Sequence, residues 1–448
     1  MTDHLSYRLL LILSRSRQLL GVPHGEGVSL ARISVPRWTR QAEQLTQAIA
    51  TMWQLRVVVL DFLPPNDSGE FCAVVEVRSD DFAEAMGQFA FADPANLPST
   101  ELNDAERDVL DSIISQKRSP RGPFSRIGWI DEVQAWIQDA IQDRAMVFTD
   151  DICQLNAGPT FTLLRLETKS GLVYWLKATG DPNRHEYDIV ENLSKCVPEY
   201  LPKLIATRKD WNAWITCEGG KPLRDQLTPC ALANAFTSLA ELQKKSVSFI
   251  PGLLDSGCAD LRLRNLSEQL PGLIRYLQEA MEQQTSAKAP PLSAERLGEL
   301  QQIIQACCKR IETLHIPDTL NHNDINLGNI LFDQHQCVFI DWAEAYVGNP
   351  FFTFQQFQNH LSINPRDKQT GIEASNCYIQ SWRELLSQEQ IDSCIALAPL
   401  LSILCYLHGR GRWKDQAVGN HPHVQSYNRS LARRLDAAAK NPLLLETL

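Results

Sequence analysis

Residues 321–350, NHNDINLGNILFDQHQCVFIDWAEAYVGNP, constrain the fold more than any other part of the chain. A polar loop carrying His322, Asp324 and Asn329 runs into two short apolar segments, 330–332 and 338–340, and Asp341 stands at the end of the second. Apolar runs this short read as the two strands of a hairpin. A hairpin returns Asp341 beside the loop that holds Asp324 and Asn329. Two carboxylates and an amide gathered around one point suit phosphoryl transfer to a hydroxyl. One carboxylate orients the attacking hydroxyl and accepts its proton, while the amide oxygen and the other carboxylate hold metal ions that bridge the phosphates.

The chain that carries this stretch has 448 residues, 44% of them apolar and 21% charged. That is enough for about three folding units, each with its own core, and too apolar for disorder throughout. The formal net charge of −10 argues against a nucleic-acid or anionic-membrane partner. Most of the acidity lies in residues 1–150, with 14 Lys/Arg against 21 Asp/Glu, so the rest is close to neutral. The 12 cysteines are scattered without a C-x-x-C pair, which points away from a disulfide framework or a zinc ribbon and toward a reducing compartment. The early run YRLLLIL is short and ends near Arg15 and Arg17, and no run reaches the length expected of a bilayer span. A soluble, cytoplasmic protein is expected.

Breaks in composition divide the chain. QKRSPRGP at 116–123 is a basic linker, and a helical pattern follows it with Ile130, Val133, Ile137 and Ile141 on one face. GGKP at 219–222 separates strand-like from helical sequence, and TSAKAPPLS at 285–293 is a loop ending in Ser293, a helix N-cap. The expected domains are therefore 1–115, a small α+β unit; 116–145, linker and bridging helix; 146–218, a β-rich unit; and 219–448, a helical unit. Within 1–115 the strand candidates are 7–13, 56–63 and 71–77, with a helical stretch near 38–52. Between 160 and 178 the pattern is a hairpin turning at Lys169-Ser170-Gly171. Alternation puts Val173, Trp175 and Lys177 on one face of its second strand, where a lysine ordinarily just reaches solvent.

The motif resembles the aminoglycoside phosphotransferase and choline kinase-like family. The family pattern H-G-D-[LIF]-H-x-G-N, then I-D-[WF], then G-D-P, reads here H-N-D-I-N-L-G-N, I-D-W and G-N-P. His322, Asp324, Gly328, Asn329, Asp341, Trp342, Gly348 and Pro350 match, whereas Asn323, Asn326 and Asn349 depart. The resemblance covers roughly 150–440. It implies an α+β, two-lobed protein-kinase-like fold, with a small β-rich N-lobe and a large helical C-lobe, preceded by the small α+β domain. It also implies a kinase that moves the γ-phosphate of ATP or GTP to a hydroxyl of a small acceptor such as an aminoglycoside, an amino alcohol or a sugar. Asp324 would be the base, and Asn329 and Asp341 would hold Mg²⁺. Lys177, paired with Glu186 (Glu191 being the alternative), would hold phosphates. The turn with Asn156 and Gly158 would cover the phosphates, and Thr216, Cys217 and Glu218 would form the hinge that meets the base of the nucleotide. His322 would face the acceptor, and Glu344 would face it or help order the metal site, a solvated loop carboxylate being the alternative reading.

His408, Arg410 and Arg412 form a basic patch that reads as a solvated helix end, with contact to an anionic acceptor as the alternative. Residues 7–24 have the strand–turn–strand look of a Nudix-like hairpin. The Nudix signature itself is absent, and only Glu43 stands where its helical glutamates would be, so a catalytically silent Nudix-like or other α+β domain is expected. Trp129 and Trp136, seven apart, form a packing stripe. The rival reading of the whole chain is a nucleotide-binding pseudokinase whose front domain docks a partner.

Overall fold

A computed structural model describes residues 4–448 except 26, 38–39, 67, 79–86, 116–120, 334–335 and 364. Most of the expected linker at 116–123 and the start of the helical stretch at 38–52 therefore lie outside the described residues. The chain forms two compact units, residues 1–187 with 203–218, and residues 188–202 with 219–448.

In the first unit, β1 (His4–Leu13), β2 (Leu19–His24), β3 (Gly27–Ser29), β4 (Ala31–Pro36), β5 (Val57–Leu63), β6 (Phe71–Val77) and β7 (Ala90–Ala92) make one mixed sheet. Its centre is β1, parallel to β6 and antiparallel to β2 and β4. Strand alternation divides β1 between two cores. Tyr7, Leu9 and Leu11 join the cluster capped by Ala42, Leu45 and Ile49 of α1 (Gln41–Trp53). Leu10 and Ile12 join a second cluster on the other face. That second cluster takes in α2 (Asp104–Ile114) and α3 (Trp129–Ile141), with Trp129 fully buried and Trp136 packed at its margin.

The same cluster extends into an antiparallel sheet of β8 (Phe148–Asn156), β9 (Thr162–Thr168), β10 (Val173–Ala178), β11 (Leu204–Arg208) and β12 (Ala213–Cys217), ordered β11-β12-β10-β9-β8. Leu164, Leu166, Tyr174, Leu176 and Ile215 turn inward, while Trp175 and Lys177 take the opposite face of β10. The β9–β10 hairpin turns where expected, with Gly171 at φ +84°, a conformation that costs glycine little. Helix α4 (Glu186–Cys196) follows β10.

The second unit is mainly helical. After β13 (Lys221–Pro222) come α5 (Pro229–Ser246), α6 (Ile250–Asp255), β14 (Ala259–Asp260), α7 (Leu263–Glu282), and α8 (Ala294–Thr313), which Ser293 caps through Arg296 N–H. Two small sheets interrupt the helices. One is β13-β16-β17, with β16 (Ile330–Phe332) and β17 (Cys337–Phe339). The other is β14-β18-β15, with β15 (Thr319–His322) and β18 (Ala345–Gly348). The remaining helices are α9 (Pro350–Leu361), α10 (Pro365–Trp382), α11 (Gln388–Arg410), α12 (Gln416–Gly419), α13 (Pro422–Ala438) and α14 (Pro442–Thr447).

Strand β15 is held by a buried polar network. Gln243 of α5 donates to Asn321 Oδ1 at 3.0 Å and accepts from the Tyr378 hydroxyl at 2.7 Å, and Asn321 donates to Gly348 O at 2.9 Å. Every buried polar atom so satisfied fixes the strand that leads into the 322–329 loop.

One expectation needs correction. Helix α11 is long and apolar enough to cross a membrane by length and composition. It looked too short in the sequence because Pro399 and Gly409 interrupt the apolar run, yet the helix continues through both. Its most apolar window is 67% buried, and Leu397, Leu400, Leu401, Leu404 and Leu407 join the main cluster of the unit. All 12 cysteines are free thiols.

Candidate active site

In the first unit, Lys177 and Glu186 form an ion pair, Nζ to Oε1 at 2.6 Å. The carboxylate is almost fully buried at 1% exposure, and the ammonium lies 5.7 Å from the Trp214 ring centroid. Glu191, the alternative partner, instead pairs with Lys195 one helical turn on. Asn156 ends β8, and the turn after it is braced by the segment before α3. Phe124 N–H donates to Pro159 O at 3.3 Å, and a Cβ on Gly122 would lie 2.2 Å from that oxygen. Gly158 stays in the open part of the turn, with only Phe161 O within 4 Å of a built Cβ.

Thr216 and Cys217 end β12 and Glu218 follows it, and the backbone N–H groups of Cys217 and Glu218 are both engaged. Cys217 N–H donates to Lys203 O at 2.9 Å and Glu218 N–H to Val173 O at 3.1 Å. Pairing with the neighbouring chain segments occupies both N–H groups. The Glu218 side chain accepts from Trp175 Nε1 at 3.1 Å, and burial pushes the Cys217 thiol up, which disfavours the reactive thiolate.

In the second unit the 322–341 stretch closes on itself. Pairing of Ile330 with Phe339 makes the hairpin, and Ile340 N–H donates to Asn329 O at 3.0 Å. Asp341 follows directly, in left-handed backbone (φ 69°, ψ 59°), a region in which aspartate is among the better tolerated residues. Asn329 Nδ2 donates to Asp324 O at 2.9 Å and approaches Asp324 Oδ2 at 3.4 Å. Among the described residues no donor reaches its amide oxygen.

His322, expected to face the acceptor, is engaged within the loop itself. Its ring is buried, with 1% exposure, and both nitrogens are engaged. Asp324 N–H donates to Nδ1 at 3.1 Å, so Nε2 carries the proton and donates to Ile340 O at 2.9 Å. His322 is thus a positioning residue that ties the backbone of Asp324 to the strand end before Asp341. Asn326, a departure from the family pattern, does related work. It donates to Asp324 O at 2.9 Å and accepts from Gly328 N–H at 2.8 Å and Asn329 N–H at 3.2 Å.

Sequence reasoning missed the part played by Arg410. The last residue of α11 lies with Nη1 3.3 Å from Asp324 Oδ1 and Nε on Glu344 Oε2. Its Nη1 also donates to the Tyr406 hydroxyl at 2.9 Å. Glu344, immediately before β18, is raised above its ordinary value by burial, an effect that Arg410 opposes. The neighbouring members of the basic patch go elsewhere. His408 is buried, and desolvation lowers it to about 3, so it carries no charge. Arg412 faces Asp415 at 3.7 Å.

The donor set suits a hard divalent cation. Asn329 offers an amide oxygen and Asp341 a carboxylate, and among the described residues no group of three or more His, Cys, Asp or Glu could hold a metal alone. Mg²⁺ bound by one or two protein oxygens takes its other ligands from phosphates and water, so these residues fit it.

Residues 163–369 match the model of the phosphotransferase enzyme family (APH). No curated protein sequence matches the chain. Among solved structures, similarity is found to a choline/ethanolamine kinase family protein from Mesorhizobium loti, with 14% identity, covering 71% of this chain and 97% of that one at a TM-score of 0.44. An ethanolamine kinase from Plasmodium vivax shows 16% identity, covering 66% and 84%, at a TM-score of 0.44. A macrolide 2′-phosphotransferase from Brachybacterium faecium shows 15% identity, covering 69% and 98%, at a TM-score of 0.39.

Proposed function

We propose that the chain, whose residues 163–369 match the model of the phosphotransferase enzyme family, is a small-molecule phosphotransferase that moves the γ-phosphoryl group of ATP or GTP to a hydroxyl of its acceptor. The observation that carries this reading is the closed loop of His322, Asp324, Asn329 and Ile340, which delivers one carboxylate, one amide oxygen and Asp341 from a single hairpin.

Asp324 orients the acceptor hydroxyl and takes its proton as the oxygen attacks the γ-phosphorus. The bond from that phosphorus to the β–γ bridging oxygen breaks, and the nucleoside diphosphate leaves. Lys177 neutralises charge on the nucleotide phosphates, and Glu186 keeps the ammonium in place and charged. Asn329 and Asp341 would hold Mg²⁺, which when bound supplies neutralisation of the phosphate oxygens. Asn329 suits this task because its nitrogen is spent on Asp324, which leaves its oxygen for the metal.

Asp324→Asn tests the assignment. Turnover should fall by about 10²–10⁴-fold while Mg-nucleotide affinity, measured by calorimetry, is retained. Unchanged turnover would remove Asp324 from the reaction.

A further inference from the structure

The cation position beside the proposed base is already filled from within the chain. Asp324 and Glu344 are the carboxylates that could greet an ammonium group on the acceptor, and both are engaged by Arg410. A cationic acceptor would have to expel a guanidinium that is only 30% exposed and held at three points, Glu344, Asp324 and the Tyr406 hydroxyl. Arg410 spends Nε and Nη1 on these contacts, and among the described residues Nη2 makes no hydrogen bond. An unspent guanidinium N–H pair beside a reacting hydroxyl is a receptor for a carboxylate or phosphate oxygen.

The wall behind Arg410 has the same character. Burial raises the Tyr427 phenol on α13, and the charge of Arg410 opposes that rise. The Arg410 guanidinium lies 5.5 Å from the Tyr406 ring centroid. Arg410 lies beyond residues 163–369, so nothing in the family match assigns it.

We infer that Arg410 is the specificity-determining residue of the acceptor site and selects a hydroxyl compound that carries a carboxylate or phosphate. The inference rests on the kinase reading only for the place of Asp324 as base. Arg410 acts twice. It compensates Asp324 and Glu344, which makes an anion tolerable next to them, and it offers its open Nη2 edge to that anion.

The test measures binding and transfer separately on the full chain with Mg-ATP or a non-hydrolysable analogue. Probes are glycerate for the carboxylate arm and glycerol 3-phosphate for the phosphate arm, against choline, ethanolamine and kanamycin as cations and glycerol as the neutral control. Wild type should bind at least one anionic probe at millimolar concentration in preference to glycerol and to the cations. Arg410→Gln should weaken that probe by about 10- to 100-fold, chiefly in Kd or KM. Arg410→Lys, which keeps the charge but not the planar fork, should recover part of the loss and guards against a folding defect in the Gln variant. Preference of the wild type for a cationic probe, equal anion binding by wild type and Arg410→Gln, or binding of neither anionic probe each overturns the inference. Arg410-dependent anion binding without transfer to any acceptor would overturn the kinase reading instead, and transfer only to choline, ethanolamine or kanamycin would overturn this inference and leave that reading standing.

Discussion

Gly409 and Asn323 stand so close that a Cβ on the glycine would lie 2.4 Å from the asparagine Nδ2. The family pattern has glycine where this chain has Asn323, and here the glycine faces it from α11 instead. Asn323 is buried, its N–H donates to Glu344 O at 3.1 Å and its amide oxygen accepts from Gln356 at 3.0 Å. The contact presses the end of α11 against the loop and so sets where Arg410, the next residue, meets Asp324. Gly409→Ala gains at most about 1 kcal/mol of helix propensity but overpacks a buried contact, which costs about 1–3 kcal/mol. The variant should melt lower than wild type, and its kcat should fall by roughly 10- to 100-fold through misplacement of the loop. A full kcat in a stably folded Gly409→Ala protein would show that the contact does not position the site.

Much of the site was legible because it is local. Asp324, Asn329 and Asp341 sit on one loop and the hairpin that follows, so spacing alone brings them together, and alternation put Lys177 on the face of β10 opposite Leu176. What stayed hidden depends on partners far along the chain. The engagement of Asp324 and Glu344 by Arg410 requires the path of α11. The pairing of the Cys217 and Glu218 N–H groups requires knowledge of which segments flank β12. The resemblance implied that His322 faces the acceptor, and only its two ring contacts reveal a brace. The end of α11 looked solvated because LHGRGRWK is basic, yet tertiary packing buries His408 within it.

A second long-range contact is equally invisible in the sequence and makes its own prediction. The register of β5 against β6 shifts between Val59 and Asp61, and Gln154 of β8 serves the strand at that irregularity. Its Oε1 accepts from Val59 N–H at 2.8 Å and its Nε2 donates to Val59 O at 2.9 Å, with the side chain 1% exposed. Gln154→Leu keeps the apolar bulk and strips both partners from a buried peptide group. Each lost partner costs about 1–3 kcal/mol, so the first unit should become less stable by about 2–6 kcal/mol. Denaturant unfolding reads the loss, and amide exchange at Val59 localises it. Wild-type protection of that amide in the variant would mean that the glutamine contributes little.

Acid should expose the burial of His408. Both its ring nitrogens lack hydrogen-bond partners, Trp413 packs edge-on at 5.3 Å, and the nearby Lys414 ammonium further disfavours a charged ring. The imidazole is therefore neutral in the fold, with a pKa lowered from 6.5 to about 3, and it is free to protonate once the chain unfolds. A lowered pKa in the folded state makes the unfolded state the better proton binder, so stability rises with pH through this window. The stability it preserves is whole above pH 6.5 and is lost as pH falls from there toward 3. By pH 5 the loss from this one group should approach 2 kcal/mol, at about 1.4 kcal/mol per pH unit. His408→Leu removes the group and two unsatisfied nitrogens together. Chemical denaturation at pH 7.5 and pH 5 should therefore show a smaller acid penalty in the variant than in wild type, with no loss at the higher pH. Equal penalties in the two proteins would mean that His408 finds a proton or a partner in the fold.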